Sequence, residues 1–449
     1  MKLGALSIER VLDVRSRPLK QDNIRIVIFS QKHPDANRAP SMSNPDQVID
    51  QEKPDRRIVV AALGVTQILA WGSTFYLLGV LANEIARNTG WSYDWVTSGV
   101  SVGLLMAGVV SPRVGRAVSK WGGRLTLAVS AVLLAAGLLL LGSSQSIAWY
   151  LVAWLLLGGG MGSGLTDAAF STLGSIYGEN ARGPITSLTL FAGFASTVCW
   201  PLSAYLIEHL GWRGACFIYA AIQIGVALPI LLLALPRGFS IPPPTADDEG
   251  ARSHASLASG ELPIFALLAV ALTLSAAILS MVGIHLLPLL QARGLELSAA
   301  VGLGAIVGPS QVGARILEML IGRHYHPIWT MISSAVLVAA GTALLFAAFP
   351  TYSAAIVLYG AGNGLGSVAR GTLALALFGS SRYPVLMGRL ALPILMSMAL
   401  SPFLAAIAFQ AGGANLTLGL ITFLGAANVL LVGLLWILCR RRLTAAEID

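Results

Sequence analysis

The stretch Gly308 to Arg323, GPSQVGARILEMLIGR, decides how the chain is read. It lies inside an apolar run long enough to cross a bilayer, yet it carries Gln311, Arg315 and Glu318. At about 100° per residue the three share one helical stripe. A charge at bilayer depth costs roughly 3 kcal/mol on insertion scales and more in simulations. Such a charge therefore faces protein or a watery cavity, and marks a candidate site. The competing explanation is local: Arg315 and Glu318, three residues apart, would only neutralise each other along one helix face.

Composition sets the surroundings of that stripe. The 449 residues are 55 % hydrophobic and 11 % charged, with a mean hydropathy of +0.75. A soluble chain is nearer one quarter charged. The chain reads as a polytopic membrane protein, and its 48 glycines suit close helix packing in lipid. The net charge of +8 is spread over many loops, so it gives no nucleic-acid signal. Cys199, Cys216 and Cys439 form no CxxC, no Cys/His cluster and no disulfide framework. The Gly-rich run GGGMGSG (158–164) has no preceding strand and no P-loop lysine, so no nucleotide or other cofactor and no metal is expected.

Twelve apolar segments follow one another at roughly 58–82, 95–113, 125–143, 148–173, 184–209, 214–235, 262–290, 298–321, 328–348, 352–378, 384–410 and 417–438. Pro201, Pro288, Pro309, Pro393 and Pro402 fall within them as kinks that lipid-embedded helices tolerate. Residues 1–57 are polar and basic and read as a disordered cytoplasmic extension; Met42 offers an alternative start. Residues 236–261, rich in Pro, Ser and charge, read as a cytoplasmic linker between two six-helix halves, 58–235 and 262–438. Residues 439–449 form a tail. Placing both termini in the cytoplasm puts 24 of the 29 Lys and Arg inside and 3 outside, leaving Arg315 and Arg370 in the membrane.

The halves resemble each other. AVLLAAG (131–137) recurs as AVLVAAG (335–341), GGGMGSG (158–164) as GAGNGLG (360–366), and Trp200-Pro201 lines up with Ser401-Pro402. Parallel six-helix repeats imply a pseudo-two-fold along the membrane normal, with a site between the halves near the midplane. The expected fold is thus all-α, with twelve transmembrane helices.

Four further readings concern single residues. Gln67, Trp71 and Phe75 recur every four residues on the first helix, a stripe suited to lining a cavity; Tyr76 adds weakly to it. His285 reads as a packed or interfacial residue. Asp167 and Arg370 sit at matched depth in opposite halves, one residue out of register, and are expected to pair as a cytoplasmic gate. Glu318 is a candidate proton carrier or an orienting partner for Arg315, because desolvation favours its neutral form and a nearby cation its charged form.

Three stretches also carry a family likeness: GWS (90–92), SPRVGRAVSKWGGR (111–124) and GWR (211–213). With them the chain, over about 58–438, resembles the major facilitator superfamily, and within it the bacterial monocarboxylate-porter and oxalate/formate group. Gly115, Lys120, Gly122 and Arg124 fit the superfamily's loop signature, while Ser119 stands where that signature has an acid. The resemblance implies that Arg315 meets a substrate carboxylate. Gln311 stands where the subgroup often has Asp, and the first-helix Lys of some members is missing, so Glu318 or Asp167 is left to carry coupling. It further implies a monomeric, proton-coupled secondary transporter of a small organic anion, such as a monocarboxylate, in the bacterial inner membrane. The alternatives are an exporter of amphipathic or toxic small molecules and, from another class, a non-transporting membrane sensor. A membrane enzyme would need clustered His, Asp or Glu at catalytic spacing, which the sequence lacks.

Overall fold

In the computed structural model, residues 55–237, 257 and 260–445 are described. The expected N-terminal extension up to residue 54 and most of the 236–261 linker lie outside the described residues. The N-terminal half contains α1 (Arg56–Gly72), α2 (Phe75–Thr89), α3 (Tyr93–Trp121), α4 (Gly123–Gly142), α5 (Ile147–Gly164), α6 (Thr166–Tyr177), α7 (Arg182–Gly193), α8 (Ala195–Ile222) and α9 (Leu228–Ala234). The C-terminal half contains α10 (Leu262–Ala292), α11 (Leu297–Ile321), α12 (Pro327–Phe346), α13 (Tyr352–Phe378) and α14 (Tyr383–Ala445). Among the described residues, eight helical runs are long and apolar enough to cross a membrane. Large apolar side chains such as Leu233, Ile407, Phe423 and Leu430 stand exposed on them, a surface that lipid rather than water would cover. The last helix continues to Ala445, past the expected span end at 438, because nothing in the basic segment CRRRL breaks a helix.

The repeat seen in sequence is a repeat of contacts. Glycines of α5 let α3 and α4 approach it on two faces. A Cβ on Gly162 would lie 2.7 Å from the Ala107 carbonyl oxygen of α3, and one on Gly160 would lie 3.0 Å from the Leu134 nitrogen of α4. On α13, Gly364 faces the Gln311 carbonyl of α11 and Gly362 would meet the Val338 nitrogen of α12 at 2.8 Å. Ser130 donates to the Gly160 carbonyl and Ser334 to the Gly362 carbonyl, each at 2.7 Å. Gln223 donates to Ser73 and Asn428 to Ser275, each at 2.9 Å. Small residues that bring backbones together are the means by which helices associate where lipid removes the hydrophobic drive.

The two halves touch at one end. There Gly115 of α3 lies against the Pro384 carbonyl and Gly388 of α14, and α7 packs on α11 and α13. One apolar core fills the N-terminal half from end to end and takes in the C-terminal half at this end, whereas a second, around Met281, Tyr359, Ala405 and Ile421, belongs to the C-terminal half alone.

Candidate functional site

Arg315 is one of only two buried residues on the 25-residue helix α11, at 7 % exposure. Its Nη1 donates to the Thr189 carbonyl of α7 at 2.8 Å, and its Nη2 to Gln311 Oε1, one turn back, at 3.4 Å. Nε is buried without a partner. Gly193 makes room for the guanidinium, since a Cβ there would lie 2.8 Å from Nη1. Among the described residues no carboxylate lies within 4.0 Å of it. The guanidinium is therefore a buried cation with neutral partners only, an arrangement whose cost an anion would relieve.

Glu318 does not neutralise Arg315. It accepts from Thr330 Oγ1 at 2.8 Å and from Arg182 Nη2 at 3.5 Å, and Arg182 also donates to the Tyr325 carbonyl at 2.6 Å. The local-pair explanation of the charged stripe is thereby corrected. Three residues on a helix are close enough to pair, but a neighbouring helix offers each group a partner of better reach. In the sequence Arg182 is one loop charge among several; its place at the first turn of α7, facing α11, is a tertiary fact.

Asp167, in the first turn of α6, and Arg370 of α13 do meet, with Nη2 to Oδ2 at 2.5 Å and side chains 14 % and 19 % exposed. Asp167 Oδ1 and Arg370 Nε are buried and unpartnered. The Ser380 amide donates to Glu179 nearby at 3.3 Å. Together with Arg182–Glu318, these contacts tie the halves at the same end. Beside them, Arg382 and Glu261 form a bidentate pair at 2.6 and 2.9 Å. That hydrogen bonding, with Glu261's charge behind it, holds the guanidinium above its ordinary pKa despite partial burial.

The first-helix stripe does not act as one surface. Gln67 is 3 % exposed and donates to the Gly164 carbonyl at 2.6 Å, inside its own half. Trp71 donates to Thr166 Oγ1 at 3.1 Å. It packs with Phe75 and Tyr76 at ring separations of 5.7 and 6.2 Å, and Tyr76 meets Trp200 at 6.2 Å. The helix breaks at Ser73 and Thr74, so residues before and after the break turn to different neighbours. Tyr76 is close enough to Arg315 for the two to interact electrostatically, which the even spacing of the stripe did not suggest. His285 bonds the Pro402 carbonyl at 3.0 Å, as a packed residue does.

In the loop signature, Gly122 turns between α3 and α4 with φ of 81°, where other residues are strained. Lys120 lies over Trp121 at 5.6 Å. Arg124 lines a cleft of about 330 Å³ with Thr172, Ser175 and Arg237.

Two repeated helical halves, apolar outside, joined at one end and holding a buried cation between them, define a membrane carrier. Similarity to known proteins leads to the same class. The Major Facilitator Superfamily profile matches residues 63–324, and the chain belongs to that family of transporters. The human organic anion transporter MFSD10 (TETRAN) superposes with a TM-score of 0.65 at 15 % identity, over 84 % of this chain and 100 % of that one. FucP, a Major Facilitator Superfamily transporter solved in the outward conformation, gives 0.68 at 14 % identity, over 85 % and 99 %. A search of curated proteins found no match.

Proposed function

We propose that the chain is a twelve-helix secondary transporter that moves a small organic anion by alternating access, with monocarboxylates the leading class. The observation that carries the anion is the Arg315 guanidinium, buried with only carbonyl partners and one free Nε–H. A guanidinium fork matches a carboxylate bidentately. Gln311, Trp71 and Tyr76 would complete the site. One structural neighbour is described as an organic anion transporter; the reading for this chain rests on Arg315, not on that likeness. An Arg315 bound only to Glu318 would favour the exporter alternative; here Glu318 is engaged by Arg182 and Thr330.

With α13 (Tyr352–Phe378) counted as one crossing, twelve follow if the 88-residue run 147–234 is divided in three and the 58-residue run 383–440 in two. Each run is far longer than the ~20 residues one crossing needs. The non-helical backbone at Gly211, Gly412 and Gly413 gives two of the dividing points, and the short 178–181 turn gives another. The Lys/Arg bias favours both termini, and the joined end of the halves, in the cytoplasm of a bacterial inner membrane. In that orientation Asp167–Arg370 and Glu318–Arg182 close the cytoplasmic side. Protonating either carboxylate would weaken its latch, which is how a proton would couple to opening. The carrier would work as a monomer, in keeping with the monocarboxylate-porter and oxalate/formate group.

The test is uptake and counterflow in proteoliposomes with a panel of labelled carboxylates, with and without a pH gradient. Arg315→Lys keeps the charge and loses the fork, so transport should fall by about tenfold or more while the protein still inserts, in line with a charge-assisted bond of about 1.5–3 kcal/mol. Transport near the wild-type rate would remove Arg315 from the site.

A further inference from the structure

The N-terminal half holds a second polar site, separate from Arg315. A cavity of about 10 Å³ is lined by Thr66 and Gln67 of α1, Ser130 of α4, Gly164 at the end of α5 and Gln223 at the start of a π-helical turn. That is room for one water-sized particle. The four polar side chains are 5 %, 3 %, 2 % and 1 % exposed.

Both hydroxyl hydrogens, and one N–H of each amide, are committed elsewhere. Thr66 donates to the Leu63 carbonyl at 3.1 Å, Ser130 to Gly160 at 2.7 Å, Gln67 to Gly164 at 2.6 Å and Gln223 to Ser73 Oγ at 2.9 Å. Gln67 Oε1 is buried with no partner. The hydroxyls and the Gln67 carbonyl therefore offer the cavity lone pairs, which a particle that donates or carries positive charge would meet. Regular helix also fails at two points on this wall. α5 stops at Gly164, and residues 223–227 form a π turn, a distortion concentrated at functional sites. Interrupted transmembrane helices supply freed carbonyls to alkali cations in other carriers. Hard oxygen ligands without a carboxylate fit a monovalent rather than a divalent ion.

We propose that this cavity is a sodium-ion site, held by Gln67 Oε1, the Thr66 and Ser130 hydroxyl oxygens and the backbone around Gly164. The C-terminal half supports the assignment by contrast. It repeats the Ser334–Gly362 and Ser275–Asn428 bonds, but Ala269 stands at the offset of Gln67, and α13 runs unbroken past Gly366. The inference concerns ion binding and goes beyond the carrier reading; it needs no transported solute.

The experiment is equilibrium binding of radioactive sodium to the purified full chain in detergent, with a parallel melting curve in sodium or choline chloride at equal ionic strength. The expected result is saturable binding of one ion per chain, resisted by excess potassium, with a higher Tm in sodium. Gln67→Met and Ser130→Ala should each weaken binding by roughly tenfold, and Gln67→Glu should tighten it, since affinity follows ligand number and charge. The wild-type measurement decides the matter even where a variant fails to fold. No saturable binding and no sodium effect on Tm would overturn the proposal and leave the cavity to a water. Binding that all three variants leave unchanged would overturn it equally. Because the assay contains no solute, its failure would not touch the anion reading, and loss of anion transport would not touch this one.

Discussion

The two halves share one contact plan and use it differently. In both, a glycine-rich helix is clasped on two faces, a serine of a neighbouring helix caps its carbonyl, and a polar side chain ties the last helix to the first. In the C-terminal half, α10 to α13 are unbroken rods. They carry the buried Arg315 and the part-buried Glu318 and Arg370 at fixed positions. In the N-terminal half the matching helices break at Ser73–Thr74 and at Leu165, and the helices that follow break at Phe194 and wind into a π turn at 223–227. The broken points are met by side chains: Gln67 at Gly164, Thr74 on the Ala70 carbonyl at 2.6 Å, and Gln223 at Ser73. Backbone freed inside a membrane must find such partners, since each unmet group costs several kcal/mol. The difference teaches that one packing plan serves two roles. The rods present Arg315, Glu318 and Arg370, and the broken helices meet them with a backbone oxygen, Arg182 and Asp167.

The largest effect should come from the shared plan. Gly162→Leu and Gly364→Leu each drive a side chain into a backbone carbonyl of the adjacent helix. No rotamer relieves that clash, so the cost exceeds the usual ~1–3 kcal/mol of overpacking. Both variants should lose the monodisperse peak in size-exclusion chromatography. Gly283→Ala, where nothing lies within 4 Å, should keep it. Tolerance of one Leu variant alone would break the equivalence of the halves.

A middle-sized effect is expected at the contact between them. Removing the charge of Asp167 or Arg370 should slow transport and open the joined end, with solute binding largely kept. The swap Asp167→Arg with Arg370→Asp should recover part of the loss, with a coupling of about 1–3 kcal/mol in the double-mutant cycle. Transport in the four variants and cysteine accessibility at the two ends give the readouts. Additive losses with unchanged accessibility would mean that each charge serves its own half.

The smallest effect is a pH dependence at the foot of α12. His326 caps that helix by accepting from the Ile328 amide at 3.2 Å. Burial, and then the charge of Arg182, hold its pKa below the ordinary value. The unfolded chain therefore takes up a proton first, at about pH 6.5. The stability that His326 contributes is full above that pH and falls as pH drops through it toward the lower folded pKa. The expected effect is a small fall in Tm as the pH drops below about 6.5. His326→Asn, still a capping residue, should flatten the curve between about pH 7 and pH 5; an unchanged curve would place the titration elsewhere.

Much of the fold is legible in the chain itself. Long apolar runs, few charges and an internal repeat are one-dimensional properties, because lipid demands helices and helices need only local hydrogen bonds. The matched depth of Asp167 and Arg370 is also countable, and their one-residue mismatch is absorbed by the reach of an arginine side chain. Partner choice is not countable. Spacing offers Glu318 to Arg315 and groups Gln67 with Trp71 and Phe75. The tertiary structure instead gives Glu318 to Arg182, Arg315 to a backbone carbonyl on α7, and Gln67 to the broken end of α5. A buried polar group takes the partner that packing brings within about 3 Å, and that partner comes each time from a helix far away in sequence. The identity of the spans is therefore set by residue type, and the identity of the sites by where the helices break and which of their atoms the breaks leave unmet.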